Sequence, residues 1–255
     1  MTITTYHRRP LPPELIAFGS AEGRALLVDA LAAGTAECFH ALVAHLHTQA
    51  EPAWCGLGTL VTVLNALEID PGRTWKGPWR FFGEELLVCC KSLELAASEG
   101  LTLAEVGCLA ECNGAAVRRL HADPGGEAVF REALALSVRS PAGPFIIANY
   151  DRQVLGQTGT GHFSPIAAWH EASDRVLVLD VARFKYPPHW VPVATLWQAM
   201  ASIDADTSKA RGYLLVEQRG EARRELPDGL DALLRRLETL GAPMCPRPPA
   251  RDDAS

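Results

Sequence analysis

A chain of 255 residues is long enough for one large domain or two small ones with a substantial buried core. Apolar residues make up 48% and charged residues 21%, and the net charge of -6 argues against a nucleic-acid partner, which usually needs a basic face. No apolar run approaches the roughly 18–20 residues that span a bilayer. The N-terminus, MTITTYHRRPLPPEL, lacks the apolar stretch of a secretory signal. We therefore expect a cytoplasmic protein without a membrane or nucleic-acid partner.

The first half of the chain has the periodicity of helices. The apolar spacing predicts two amphipathic helices separated near Gly34, a buried helix from Cys55 to before Pro71, a helical stretch over EELLVCCKSLELAASEG, and a short helix opened by Thr102 with Glu105 completing a capping box. The loop WKGPWRFF between two of them has basic and aromatic residues, and its composition favours a packed loop over a nucleic-acid surface.

The second half changes to the pattern of strands. PFIIANY, HFSPIAAW, RVLVLDVA and GYLLVEQ predict short antiparallel strands, with HEASD as a hairpin turn. Helices first and strands second predict an α+β fold, a helical lobe followed by an antiparallel sheet lobe. We assign one domain to residues 1–220. Residues 221–255 are assigned to a C-terminal helix and a Pro-rich tail whose composition predicts disorder.

Cys55 is the candidate nucleophile. A thiol where a helix begins feels the positive end of the helix dipole, which lowers its pKa and favours the thiolate. Gln49 lies six residues earlier, and its amide could donate to an oxyanion together with the N–H of Cys55. Papain-like proteases have the same offset between these two residue types. The alternative for Cys55 is a buried core thiol.

A cysteine nucleophile needs a base and a group that orients the base. His162 begins one predicted strand and Asp180 ends the next, so a hairpin could join them. A hairpin that turns at HEASD puts Asp180 opposite Pro165, about three residues short of His162, and a bulge would close the gap. His170 and His189 are the rival bases.

The glycines of TGTGH do not form a phosphate loop, because no strand precedes them and no helix follows. We expect Gly161 to let substrate approach the backbone beside His162.

Cys89, Cys90, Cys108 and Cys112 form a second group among the seven cysteines. Cys108 and Cys112 share a helix face if their segment is helical. Thiolates suit Cd²⁺ or Zn²⁺, whereas the usual zinc spacing is missing and buried packing is the alternative.

The motifs HTQAEPAWCGLGTLVTVLNAL, DPGRTWKGPWRFFGEELL, TGTGHFSPI and LDVARFKYPPHWVP closely resemble the catalytic domain of phytochelatin synthases, from about Tyr6 to Val216. The resemblance implies a papain-like fold and transfer of γ-glutamylcysteine from one glutathione to another, with release of glycine. It assigns the nucleophile, base, acid and oxyanion amide to Cys55, His162, Asp180 and Gln49.

A glutathione substrate has two carboxylates, for which bidentate donors are suited. We expect Arg183 to bind one of them, with Arg152, Lys185 and Tyr186 as further candidates and a structural ion pair as the alternative for Arg183. Asp204 and Asp206 could bind the ammonium group, but a solvated turn is the favoured interpretation.

The resemblance also implies no organic cofactor, an activating Cd²⁺ or Zn²⁺ ion, and glutathione and metal–glutathione thiolates as partners. A homodimer is an option. The alternative functions are a glutathione or glutathione-conjugate hydrolase with the same triad, which is the main activity of many short prokaryotic relatives, and a non-catalytic thiol protein that binds metal.

Overall fold

A computed structural model describes residues 8–219 of the chain. The α-helices of these residues are α1 (Ala21–Ala32), α2 (Glu37–Ala44), α3 (Cys55–Ala66), α4 (Leu93–Glu99), α5 (Leu103–Cys112), α6 (Glu127–Val138) and α7 (Val193–Ala201). Single 3-10 turns occur at Glu84–Leu86 and Glu171–Ser173. The predicted C-terminal helix and tail lie outside the described residues.

The strands are β1 (Ile16–Ala17), β2 (Ala115–His121), β3 (Phe145–Asp151), β4 (Gly161–His170), β5 (Arg175–Val178), β6 (His189–Pro192), β7 (Ile203–Asp204), β8 (Lys209–Ala210) and β9 (Gly212–Gln218). Seven of them form one antiparallel sheet in the order β1-β6-β5-β4-β3-β9-β2, and β7 and β8 pair separately. The central strands β3 and β4 are buried along most of their length, as expected for strands covered on both faces.

Helix α3 is the buried helix of the structure. All of its residues after Cys55 are buried, which agrees with its nearly uninterrupted apolar sequence. It packs against β4, and this contact brings the start of the helix to the start of the strand.

The predicted α+β class agrees with this mixed structure, but the strict order of lobes does not. Strand β2 comes before helix α6, helix α7 lies between two of the predicted strands, and the edge strand β1 comes from the N-terminal region. The predicted helix over EELLVCCKSLELAASEG is also only partly present, because Cys89 and Cys90 lie in a non-helical segment between a 3-10 turn and α4. Ser92 starts α4 by accepting a hydrogen bond from the backbone N–H of Leu95.

Candidate active site

Cys55 is anchored through one residue of β4. The backbone carbonyl of Phe163 accepts a hydrogen bond from Thr59 Oγ1 at 3.1 Å, and the Phe163 N–H acts on the Cys55 thiol to lower its pKa. Cys55 and Thr59 are one helical turn apart, so the same face of α3 lies against both the N–H and the carbonyl of Phe163. The nucleophile candidate therefore lies beside the residue that follows His162.

His162 and Asp180 form a buried pair, with 3.0 Å between Nε2 and Oδ1. A β-bulge between Ile166 and Ala168 shifts the register, and Leu179 N–H then donates to the Pro165 carbonyl at 3.0 Å. The shift moves Asp180 one residue closer to His162 than the plain hairpin would, and the two side chains cover the remaining distance. Because Nε2 contacts Asp180, Nδ1 is the ring nitrogen that could accept a proton from a thiol.

Arg152 contacts Asp180 of the His162–Asp180 pair and is only 2% exposed. Its Nη2 lies 2.9 and 2.8 Å from the two oxygens of Asp180, and its Nη1 donates to Gln157 Oε1. Gln157 Nε2 in turn donates to His189 Nε2 at 3.0 Å. The expectation that Arg152 binds a substrate carboxylate is wrong for this geometry, because its guanidinium is engaged with protein groups.

Burial and charge set the protonation of this pair. Burial lowers the pKa of His162 to about 4, with help from the charge of Arg152 and against the opposing charge of Asp180. Burial alone would raise the pKa of Asp180, but the charge of His162 when it is protonated and the charge of Arg152 hold it well below its usual range. His162 is thus neutral and Asp180 ionised at neutral pH.

The Cys55 thiol differs from the expectation. Burial raises its pKa, although the N–H of Phe163, the charge of Arg152 and the N–H of Gly56 each act to lower it. The N–H of Gly56, at the start of the helix, lowers the pKa of the thiol by less than desolvation raises it. The predicted net lowering of the Cys55 pKa is therefore wrong. The Cys55 thiol and the His162 imidazole are both neutral at rest, which suits transfer of the thiol proton to His162 during attack.

Gln49 lies next to this centre, 2% exposed. Its backbone N–H donates to the carbonyl of Val181, the neighbour of Asp180, at 3.1 Å. Its side-chain Nε2 donates to the carbonyls of Glu51 and Pro52 at 2.8 and 2.9 Å. The side-chain amide of Gln49 thus donates to two carbonyls of its own loop, the loop that leads to Cys55.

Glu84 is a residue that the sequence analysis missed. It is 4% exposed, and its carboxylate accepts the N–H of Ala50 at 3.1 and 3.3 Å. A side chain at Gly58 would come within 3.1 Å of Gln49 Cβ and 3.2 Å of Glu84 Oε1, so only glycine lets both lie against α3. Nothing local in the sequence distinguishes Glu84 from an ordinary surface glutamate.

The loop after Asp180 carries the other predicted substrate residues. Arg183 is exposed, and its Nη1 donates to Thr48 Oγ1 at 3.4 Å. Lys185 is half-buried and donates to the carbonyl of Thr158 at 2.7 Å. Tyr186 is buried, and its hydroxyl accepts the N–H of Thr158 at 3.0 Å. Tyr186 therefore supports the loop, contrary to the expectation that it grips substrate.

Gly161 is exposed, and a side chain there would collide with the guanidinium of Arg211. Arg211 is 9% exposed and pairs with the buried Asp204, with 3.4 Å between Nη1 and Oδ2, and its buried Nε has no hydrogen-bond partner. The favoured interpretation of Asp204 as a solvated turn is wrong. Asp206 is exposed in the turn that follows.

The rival bases are accounted for elsewhere. His170 lies at the far end of β4 and bonds Ser173 Oγ through Nδ1 at 2.7 Å. His189 is buried with both ring nitrogens bonded, to Gln157 and to the carbonyl of Pro187 at 2.8 Å. These ring nitrogens thus bond other groups of the protein.

The four cysteines of the second group meet in space. Cys90 and Cys108 form a disulfide, which the sequence analysis did not expect. Cys112 Sγ lies 3.4 Å and Cys89 Sγ 3.8 Å from Cys90 Sγ. The sulfurs of Cys89, Cys90 and Cys112 lie within 4.8 Å of one another, a donor set that fits a soft or borderline ion once Cys90 is reduced.

The α+β fold thus holds the start of α3, with Cys55, against the strand residue that follows His162 of the buried His162–Asp180 pair. Comparison with known proteins identifies the family: the phytochelatin synthase model matches residues 6–213, so the chain belongs to the phytochelatin synthase family.

Several relatives are named glutathione gamma-glutamylcysteinyltransferase. The wheat (Triticum aestivum) protein 1 is 49% identical over 87% of this chain and 44% of its own length. Arabidopsis thaliana protein 1 is 48% identical over 86% of this chain and 45% of its own. The Schizosaccharomyces pombe protein is 40% identical over 84% and 51%. The chain thus spans about half the length of these relatives.

No helix among residues 8–219 is long and apolar enough to cross a membrane.

Proposed function

We propose that this chain is a glutathione γ-glutamylcysteinyltransferase in which Cys55 is the nucleophile, His162 the base and Asp180 the group that orients the base. The observation that carries the proposal is the hydrogen bond from Thr59 to Phe163, which holds the start of α3 and Cys55 against the residue next to His162, whose ring lies 3.0 Å from Asp180. An imidazole that lies between a thiol and a carboxylate can activate the thiol as a nucleophile for acyl transfer. The names of the relatives supply the substrate.

In the first half-reaction, the Cys55 sulfur attacks the carbonyl carbon of the Cys–Gly amide of glutathione. The thiol proton passes to His162 Nδ1, and the oxyanion accepts the N–H of Cys55, which as the first N–H of a helix has no intrahelical partner. The Gln49 amide joins it when it releases one of its two carbonyl partners. The C–N bond then breaks, and His162 gives its proton to the departing glycine, which leaves a γ-glutamylcysteinyl thioester.

In the second half-reaction, the α-amine of another glutathione attacks the thioester carbonyl while His162 takes a proton from the amine. The C–S bond breaks, and the Cys55 sulfur recovers the proton from His162. The product is a phytochelatin. Water as the acceptor would give free γ-glutamylcysteine, which is the hydrolase alternative with the same acyl-enzyme.

Cationic groups near the centre support binding of a substrate with two carboxylates. Arg183 is exposed in the loop after Asp180, and Lys185 is half-buried in the same loop. Arg211 lies against Gly161, the residue before His162, with an unbonded buried Nε. We assign Arg183 and Lys185 to the acceptor glutathione and the Arg211–Asp204 pair to the charged end of the donor.

The fold and the metal requirement belong to the same proposal. We propose that residues 1–220 form one papain-like catalytic unit, with α3 carrying the nucleophile and the sheet carrying base and acid. We further propose activation by Cd²⁺ or Zn²⁺, bound either as a metal–glutathione thiolate or at the cysteine group.

Mass spectrometry after incubation with glutathione, with and without Cd²⁺, tests the function. Wild-type protein should carry a γ-glutamylcysteine adduct and release glycine and phytochelatin. Cys55→Ala should abolish the adduct and the release of both products. His162→Ala should slow acylation by about 10²–10⁴-fold. His170→Ala is the matched control and should retain the wild-type rate. Glycine release by Cys55→Ala at the wild-type rate would overturn the nucleophile, and γ-glutamylcysteine as the sole product at every glutathione concentration would make the chain a hydrolase.

A further inference from the structure

The thiol cluster, consisting of Cys89, Cys90, Cys108 and Cys112, joins two separate segments of the fold. Cys89 and Cys90 lie in the segment before α4, and Cys108 and Cys112 lie one turn apart on α5. The disulfide between Cys90 and Cys108 links the segments, while Cys89 is exposed and Cys112 half-buried as free thiols.

Cys90 belongs to two arrangements that exclude each other. Its sulfur is one of the three that lie within 4.8 Å and could hold an ion together. The same sulfur is bonded to Cys108. Metal ligation needs the thiolate, and a disulfide sulfur has none to offer. Oxidation therefore leaves only Cys89 and Cys112 of the three-sulfur set.

We propose that the thiol cluster is a redox-controlled site for a soft divalent cation such as Cd²⁺. In the reduced protein Cys89, Cys90 and Cys112 are the ligands, and Cys108 is the partner that withdraws Cys90 when the disulfide forms. The inference does not rest on the proposed acyl transfer, because it concerns sulfur atoms outside the Cys55 site.

A low-molecular-weight disulfide, RSSR, is the oxidant class that fits. The thiolate of Cys90 or Cys108 attacks one sulfur of RSSR, whose S–S bond breaks and releases the first RSH. The thiolate of the other cysteine then attacks the protein sulfur of the mixed disulfide, and the second RSH leaves. Two protein thiols lose two electrons and RSSR gains them. Two equivalents of RSH reverse the reaction, so the ratio of disulfide to thiol sets the state of the site.

The first experiment compares two states of the full wild-type chain. One sample is reduced and freed of reductant without oxygen, and the other is equilibrated with glutathione disulfide. Non-reducing peptide mapping should find the Cys90–Cys108 link only in the oxidised sample. Titration with Cd²⁺ alone, followed by thiolate-to-metal charge-transfer absorption, should show one more bound ion per chain in the reduced sample. Equal stoichiometry in the two samples would overturn the proposal, and so would a peptide map without the link after oxidation.

Three variants separate the roles of the sulfurs. Cys112→Ser should lose the extra Cd²⁺ while still forming the Cys90–Cys108 link. Cys108→Ser should lose the link and bind Cd²⁺ like wild type when reduced. Cys245→Ser, a cysteine outside the described residues, is the matched control and should change neither readout. Loss of the extra Cd²⁺ in Cys108→Ser would refute the division between ligands and switch partner, and its retention in Cys112→Ser would refute the site. The wild-type comparison remains decisive if a variant does not fold.

Discussion

His162 should make the protein lose stability as the pH falls from 7 to 5, and His162→Gln should remove most of that loss. The folded-state pKa of about 4 lies below the ordinary value of 6.5. Between these values the unfolded chain binds a proton at His162 and the folded chain does not. Stability therefore rises with pH across this window and falls on acidification.

The magnitude follows from the shift. A difference of about 2.5 pKa units corresponds to about 3 kcal/mol once the pH is below both values, and to about 2 kcal/mol between pH 7 and pH 5. Asp180 does not contribute in this window, because its lowered pKa matters only below its unfolded value of about 3.9. His189, whose pKa burial also lowers, adds a loss of the same sign that persists in the variant.

Urea unfolding at pH 7, 6 and 5 measures the effect. The free energy of unfolding of wild type should fall by about 2 kcal/mol more than that of His162→Gln over this range. His170→Gln is the control for removal of a histidine from another part of the fold. If His162→Gln and wild type lose stability in parallel, the imidazole is not held neutral by burial and the electrostatic account of the site is wrong.

Three further predictions concern groups around the nucleophile. Arg152→Met should lower the free energy of unfolding by about 3–5 kcal/mol, because it leaves the buried carboxylate of Asp180 without its cation; a loss below 1 kcal/mol in urea unfolding would contradict this. Glu84→Ala should slow acylation by up to about 10²-fold through displacement of the Gln49 loop, and Glu84→Gln, which keeps an acceptor for Ala50 N–H, should recover most of the rate in the same glycine-release assay. Gln49→Ala should slow acylation by about 10²–10³-fold, and an unchanged rate would assign the oxyanion to the Cys55 N–H alone.

Local signals in the sequence predicted much of the fold. Thr102 and Glu105 form the predicted capping box at the start of α5, with both reciprocal hydrogen bonds present. The break at Gly34 separates α1 from α2, and HEASD is the turn between β4 and β5. In each case the residues that determine the structure are neighbours in sequence, so their chemistry can be recognised without the fold.

The elements that the sequence analysis missed depend on distant partners. Strand β2 carries two arginines and a histidine and resembles a surface segment, but it pairs along its whole length with β9. The segment around Cys89 and Cys90 has helical composition, yet a disulfide to α5 and a 3-10 turn fix it in another form. Tertiary pairing overrides local propensity in both places.

The same distinction applies to the candidate site. Residue type, order and predicted element pointed to Cys55, His162 and Asp180. The bulge, which the sequence could not reveal, moves Asp180 toward His162, and the packing of α3 on β4 places Cys55 near them. The roles of Arg152 and Glu84 could not be predicted. Each depends on burial and on a contact between segments at least 28 residues apart.

Arg152 explains how one buried site can hold an ionised acid and a neutral base together. Desolvation alone would favour a protonated Asp180, which could not orient and stabilise a protonated His162. The guanidinium keeps the carboxylate charged, and the same positive charge opposes protonation of His162 at rest. In the proposed reaction the neutral imidazole can accept the proton of the Cys55 thiol, and the imidazolium that forms meets an anion already in place. Because the resting thiol is neutral, the proposed acyl transfer depends on this proton transfer rather than on a preformed thiolate, and the Arg152–Asp180 ion pair favours it by keeping the carboxylate charged.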